Sequence, residues 1–88
     1  MQPFPLLTIL ASGRVGAAYY SRREDDAGFR SAGGRLVLPS SNTTKFRGPA
    51  EEFDVINDAV LPFSLIVEVA KEFLHSQGLP STIEWFEL

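Results

Sequence analysis

Residues 61–88, LPFSLIVEVAKEFLHSQGLPSTIEWFEL, decide the fold class of this chain. Ile66, Val69, Ala70, Phe73 and Leu74 recur at i, i+3, i+4, i+7 and i+8, the spacing of one helical face. Pro62 suits the first helical turn, where its missing N–H has no intrahelical partner to lose. Gly78 is placed to end the helix as a left-handed cap, and Pro80 forbids continuation. Beyond it, Thr82-Ile83-Glu84-Trp85-Phe86 is β-branched and aromatic, with Ile83 and Trp85 on one side and Glu84 on the other. The reading is a helix packed on a sheet, followed by a last strand returning into that sheet, with Trp85 in the core and its indole N–H on a backbone carbonyl.

Working back toward the start, Leu6-Leu7-Thr8-Ile9-Leu10 reads as a buried strand and Ser12-Gly13-Arg14 as a turn. Val15 to Tyr20 is a second strand, and the pair makes a hairpin. Gly16, Ala17 and Ala18 leave room for a close neighbour, and Tyr19 and Tyr20 point to opposite faces. A charged loop, SRREDDA, leads to a brief third strand at 28–32 that ends at Gly33-Gly34. Arg35-Leu36-Val37-Leu38 and Thr43-Thr44-Lys45-Phe46-Arg47 are two more short strands around a Pro-Ser-Ser-Asn turn, and Gly48-Pro49 breaks the second. Residues 51–60 read as a loop or edge strand before the helix. Strands first, one helix, then a strand indicate an α+β domain: a small antiparallel sheet of about five strands, in two layers, with one long C-terminal amphipathic helix packed on one face and a final strand.

Eighty-eight residues make one domain, and 44% hydrophobic content with seven Phe, two Tyr and one Trp is enough to give it a core. The absence of cysteine excludes disulfides and zinc–thiolate sites, and His75, the sole histidine, cannot build a multi-histidine metal site. No apolar run reaches the ~20 residues that span a bilayer. The opening MQPFPLLTIL has no basic segment before its apolar run and carries two early prolines, so it reads as a strand and not a signal peptide. A cytoplasmic protein is expected. The motifs of phosphate loops, nucleophile elbows and zinc proteases do not occur. Glu24-Asp25-Asp26 and Glu51-Glu52-x-Asp54 lack the ligand spacing and turn glycine that wrap a hard cation. Ser76 lies too close in sequence to His75 to complete a triad with it. No cofactor, metal or catalytic residue is expected.

The charge is polarised along the chain. Residues 1–47 hold seven basic groups and three acids, whereas 48–88 hold eight acids and only Lys71. The expectation is one acidic surface and one mixed or basic surface, the alternative being ordinary solvated faces. The overall acidity argues against direct binding of nucleic acid, and the acidic half suits a basic protein partner. Glu68 and Glu72, four apart on the polar helix side, together with Glu51, Glu52 and Asp54, are the expected contacts. Phe53 or Tyr20 would serve as a buried anchor, and Glu84 and Glu87 as lesser candidates. Phe63, Leu65 and Val67 widen the apolar arc of the helix beyond what one buried face needs. Part of that excess is expected to meet a partner or to lie under residues 51–60.

The C-terminal stretch also resembles immunity protein family 1 of bacterial polymorphic toxin systems. The likeness rests on Val60-Leu61-Pro62, Val69-Ala70, Glu72-Phe73-Leu74, Gly78-x-Pro80 and the closing Ile83-Glu84-Trp85. Ala18-Tyr19-Tyr20 and Asp26-Ala27-Gly28-Phe29-Arg30-Ser31 extend it toward the N-terminus, while Gly48-Pro49-Ala50 stands where the family commonly has a more polar turn. The resemblance implies a protein without catalysis, an antitoxin that binds the catalytic domain of a delivered toxin, often a deaminase or nuclease; the chain itself is expected to be a monomer or a homodimer. The alternative is a small structural domain that self-associates through strand edges or the helix face.

Overall fold

The computed structural model describes residues 4–34, 43–47 and 51–88. The expected strand at 35–38, the turn after it and the break at Gly48-Pro49 lie outside these residues. The chain begins with an antiparallel hairpin, β1 (Leu6–Ser12) and β2 (Val15–Ser21), in register from Leu6 opposite Ser21 to Ser12 opposite Val15. Its turn has two residues, Gly13 at φ 62° and Arg14 outside the left-handed region. Glycine at the first of two central positions is the requirement of a type II′ hairpin, whose twist matches that of its strands.

β3 (Phe29–Ala32) pairs with β2, and β7 (Glu84–Glu87) pairs with β3 from Phe29 opposite Glu87 to Ala32 opposite Glu84. The sheet order is β1-β2-β3-β7, and β6 (Leu61–Pro62) also pairs with β2. A separate ribbon joins β4 (Thr43–Arg47) to β5 (Glu52–Ile56), followed by a 3₁₀ turn at Asn57–Ala59. The expected antiparallel α+β architecture, sheet, helix and returning strand, is therefore what the chain adopts.

Period-two alternation along β2 gives the sheet two buried faces. Ala18 clusters with Leu61, Ile66 and Val69, flanked by Leu7, Ile83 and Trp85, under helix α1 (Phe63–Ser76). Ala17 clusters with Phe46, Val55, Ala59 and Val60, flanked by Leu10, Val15 and Tyr19, under the β4–β5 ribbon. A third layer thus covers the face that a two-layer reading leaves to solvent. The small residues of β2 set the spacing. A Cβ at Gly16 would lie 2.8 Å from the Leu10 carbonyl oxygen and 3.0 Å from the Ile66 side chain. Each fully buried Ile66, Val69, Phe46 or Val60 contributes about 1.5–3 kcal/mol of transfer free energy.

The second edge of β2 is shared between two strands. Val15 and Gly16 pair with β6, and Tyr19 and Tyr20 pair with β3. Between them Ala18 has no strand opposite, and a side chain takes over the ladder. The Ala18 N–H donates to Ser31 Oγ at 3.0 Å, and that hydroxyl donates to the Ala59 carbonyl at 2.6 Å. Ser31 is fully buried, so this relay closes an otherwise unsatisfied pair of backbone groups.

The helix boundaries differ from the sequence reading in ways that packing explains. Pro62 is the N-cap, not the first helical residue. It is extended, at ψ 139°, because it belongs to β6 opposite Val15. At the other end Gln77, not Gly78, takes the left-handed cap at φ 61°, with its N–H on the Phe73 carbonyl at 2.7 Å. Leu74, expected on the buried face, is 74% exposed, because the face that meets the sheet is centred on Ile66, Val69 and Phe73. The last strand starts at Glu84 and not at Thr82, because the Ser81 and Thr82 amides are turned to Glu72. Trp85 is half-buried in the helix-side cluster, and its indole N–H donates to the Pro80 carbonyl at 2.7 Å.

Candidate functional site

The β4–β5 ribbon lies across the sheet without sealing it. Thr8, Leu10 and Tyr19 form the floor of a groove whose wall is Glu52, Phe53, Asp54 and Val55, with a volume of about 430 Å³. Ribbon register explains the wall. Phe46 stands opposite Phe53 and Thr44 opposite Val55, so these four share the sheet-facing side. Phe46 and Val55 are buried, whereas Phe53 is 39% exposed and overhangs the opening. Three expected contact residues, Glu52, Phe53 and Asp54, are brought together here, and Glu51 is exposed just before them. Phe53 and Leu10 offer apolar surface, the Tyr19 and Thr8 hydroxyls offer polar handles, and Glu52 and Asp54 on the wall are each paired with a cation of β4.

The other candidates lie elsewhere. Tyr20 is a core residue and not an accessible anchor: its ring packs at 6.1 Å edge-on to Phe73, 6.2 Å from Phe29 and 6.4 Å from Trp85. The alternation of β2 hands the groove position to its neighbour Tyr19. Glu68 is exposed on the helix with Lys71 at 3.3 Å. Glu72 is an internal clasp. Its carboxylate accepts from Thr82 Oγ1 at 2.6 Å, Ser81 N at 2.8 Å, Ser81 Oγ at 3.0 Å and Thr82 N at 3.1 Å, tying the helix to the turn before β7. The Thr82 hydroxyl, then the Ser81 amide, hold that carboxyl below the ordinary glutamate range. Asp26 is depressed more strongly by its hydrogen bond from the Arg22 side chain and by the Arg22 and Gly28 amides, which locks the charged loop before β3. His75 is exposed in the last helical turn. Among the described residues, no three His, Asp or Glu side chains converge on a shared ion position.

Charge polarity along the chain does not become charge polarity in space. Lys45 meets Asp54 at 3.2 Å, Arg47 meets Glu52 at 3.5 Å, Arg30 meets Asp58 at 3.4 Å and Arg22 meets Glu87 at 3.9 Å. Each pair joins a cation of the first half to an acid of the second, so the expected single acidic surface is broken into mixed patches. At the groove rim these pairs are exposed and weakly held, about 0–1 kcal/mol each, so a partner's guanidinium can replace Lys45 or Arg47 at small cost.

The groove floor was not legible as a site, because Thr8, Leu10 and Tyr19 carry only a strand signal. What joins them to Phe53 is the crossing of a ribbon from a distant part of the chain. No protein-family profile and no curated protein sequence matches the chain.

Proposed function

We propose that this chain is a binding protein without turnover: an immunity protein that captures the catalytic domain of a toxin, a nucleic-acid-directed deaminase or nuclease, inside the cell that makes it. The observation that carries the reading is the half-exposed Phe53 over a largely apolar groove lined by Glu52 and Asp54, with Glu51 exposed just before them in the chain. An aromatic anchor over an apolar groove flanked by acids has the anatomy of a protein-binding hot spot. A toxin that handles nucleic acid presents Lys and Arg, which the rim acids steer and pair. The motif resemblance of residues 60–85 supports the same class. Glu68 and Glu72 lie on the helix, across the sheet from the groove, and are not part of this contact surface.

Protection of cells co-expressing the chain with a toxin domain encoded beside it tests the reading. Phe53→Ala and the triple reversal Glu51→Lys, Glu52→Lys, Asp54→Lys keep the circular dichroism spectrum of the parent and abolish protection. Full protection by both variants removes the groove from the interface. Absence of protection by the parent against every neighbouring toxin removes the function.

A further inference from the structure

The opposite face of the sheet carries a second surface, built on β1. Among the described residues β1 pairs only with β2, and no described strand lies against its other edge. Ser12 and Val15 close the two-residue turn as a hydrogen-bonded pair, and the antiparallel ladder alternates from there. Leu7, Ile9 and Ala11 therefore turn their N–H and C=O groups to the open edge. The same alternation is visible on β2, where Gly16, Ala18 and Tyr20 serve β6, Ser31 and β3. The open strand, Leu6–Ser12, contains no charge and no proline, the residues that normally guard an edge. The far edge of the sheet, on β7, is guarded by Glu84 and Glu87.

The helix is apolar on the same side. Glu72 reaches toward the turn before β7, so the opposite flank of α1 overlooks β1. That flank is Phe63, Val67, Ala70 and Leu74, at spacings of four, three and four, with Phe63 37% and Leu74 74% exposed. Residues 51–60, the expected cover for this excess, lie with the ribbon on the other face of the sheet.

We propose that two copies of this chain associate about a two-fold axis through Ile9, β1 pairing antiparallel with its mate and Phe63 of each helix packing toward Leu74 of the other. Three observations select a second copy as the occupant. A bare strand edge is its own complement in hydrogen bonds. A two-fold sets residues near the axis against themselves, so the centre must be uncharged, as β1 and this flank are and the β7 edge is not. Strand and helix also locate one axis. Ile9 is the midpoint of β1 and pairs with Ala18, which packs with Val69 near the midpoint between Phe63 and Leu74. Helices seated over β2 and its mate stand three strand spacings apart, roughly 14 Å. That gap exceeds the 8–10 Å of closely packed helices, so the contact falls to the longest side chains of the flank, Phe63 and Leu74, reaching across from each helix.

The groove shares β1 through Thr8 and Leu10, but the two readings are tested separately, because Ile9 and Leu74 lie on the other face from the groove. Sedimentation of the full chain over a concentration series tests it, with fold checked by circular dichroism. The parent is expected to move from 9.7 kDa to twice that mass as concentration rises. Leu74→Glu and Ile9→Lys are each expected to stay at one-chain mass with the parent spectrum. A parent that remains one chain up to about millimolar concentration overturns the proposal, and so does a folded form of either variant that dimerises like the parent.

Discussion

Replacing Ser31 by alanine removes one oxygen and leaves two backbone groups without partners. The hydroxyl accepts from Ala18 N–H and donates to Ala59 C=O, and all three residues are fully buried. Orphaning a buried donor or acceptor costs about 1–3 kcal/mol, so losing both partners costs about 2–6 kcal/mol. The space vacated is smaller than the roughly 30 Å³ that a water occupies in the liquid, so solvent does not restore the bonds. A chain of this size has about 4–13 kcal/mol of total stability, which makes the loss a large fraction of the whole. At about 4–8 °C per kcal/mol, even the low end of that cost lowers the midpoint by roughly 8–16 °C. Thermal and urea unfolding followed by circular dichroism measure the shift, and amide exchange localises it: the Ala18 amide loses protection while Ala17 keeps it. Ser31→Cys, a weak donor and acceptor of similar shape, falls between parent and Ser31→Ala. A midpoint for Ser31→Ala within about 2 °C of the parent, with Ala18 still protected, refutes the relay.

Two further predictions concern the end of the helix. The Glu72 carboxyl titrates lower in the folded chain than in the unfolded one, so its clasp contributes fully above the unfolded value of about 4.3 and is lost as pH falls through the lower folded value. The gap in melting temperature between parent and Glu72→Gln is therefore constant at neutral pH and closes in acid; a gap of equal size at pH near 3 and near 7 counts against the clasp. Gln77 bears the left-handed cap, so Gln77→Gly stabilises by about 0.5–1 kcal/mol in urea unfolding, while Gly78→Ala changes stability by no more than about 0.5 kcal/mol. Loss of stability in Gln77→Gly together with a large cost for Gly78→Ala would return the cap to residue 78.

The elements were legible where the signal was local. Gly13 between two apolar runs marked the hairpin, and the 3.6-residue period marked the helix. Gly16 with two alanines announced that something packs closely on β2, and Ile66 does. Errors arose where tertiary contacts outvoted local preference. Pro62 is drawn into β6 by Val15, and the ladder that would have begun at Thr82 is displaced by Glu72. Leu74 satisfies the helical period but lies outside the arc that β2 can reach. The site was less legible than the fold. Glu52, Phe53 and Asp54 stood out as an acidic, aromatic cluster, yet their partner Tyr19 is separated from them by more than thirty residues. The count of charges along the chain gave no warning that four cations of the first half would pair with acids of the second.

The position of β2 also bears on the order in which the molecule assembles. Its pairings with β1 and β3 join neighbouring strands; the ribbon, β6, the helix and, through β3, the final strand arrive from farther downstream. Such non-local closure places the refolding rate with slow, sheet-rich domains, in the millisecond-to-second range, and not with helical bundles. Until Leu61 and Ser31 dock, Gly16 and Ala18 hold open a template on one side, and the hairpin waits, half dressed, for the rest of its own chain.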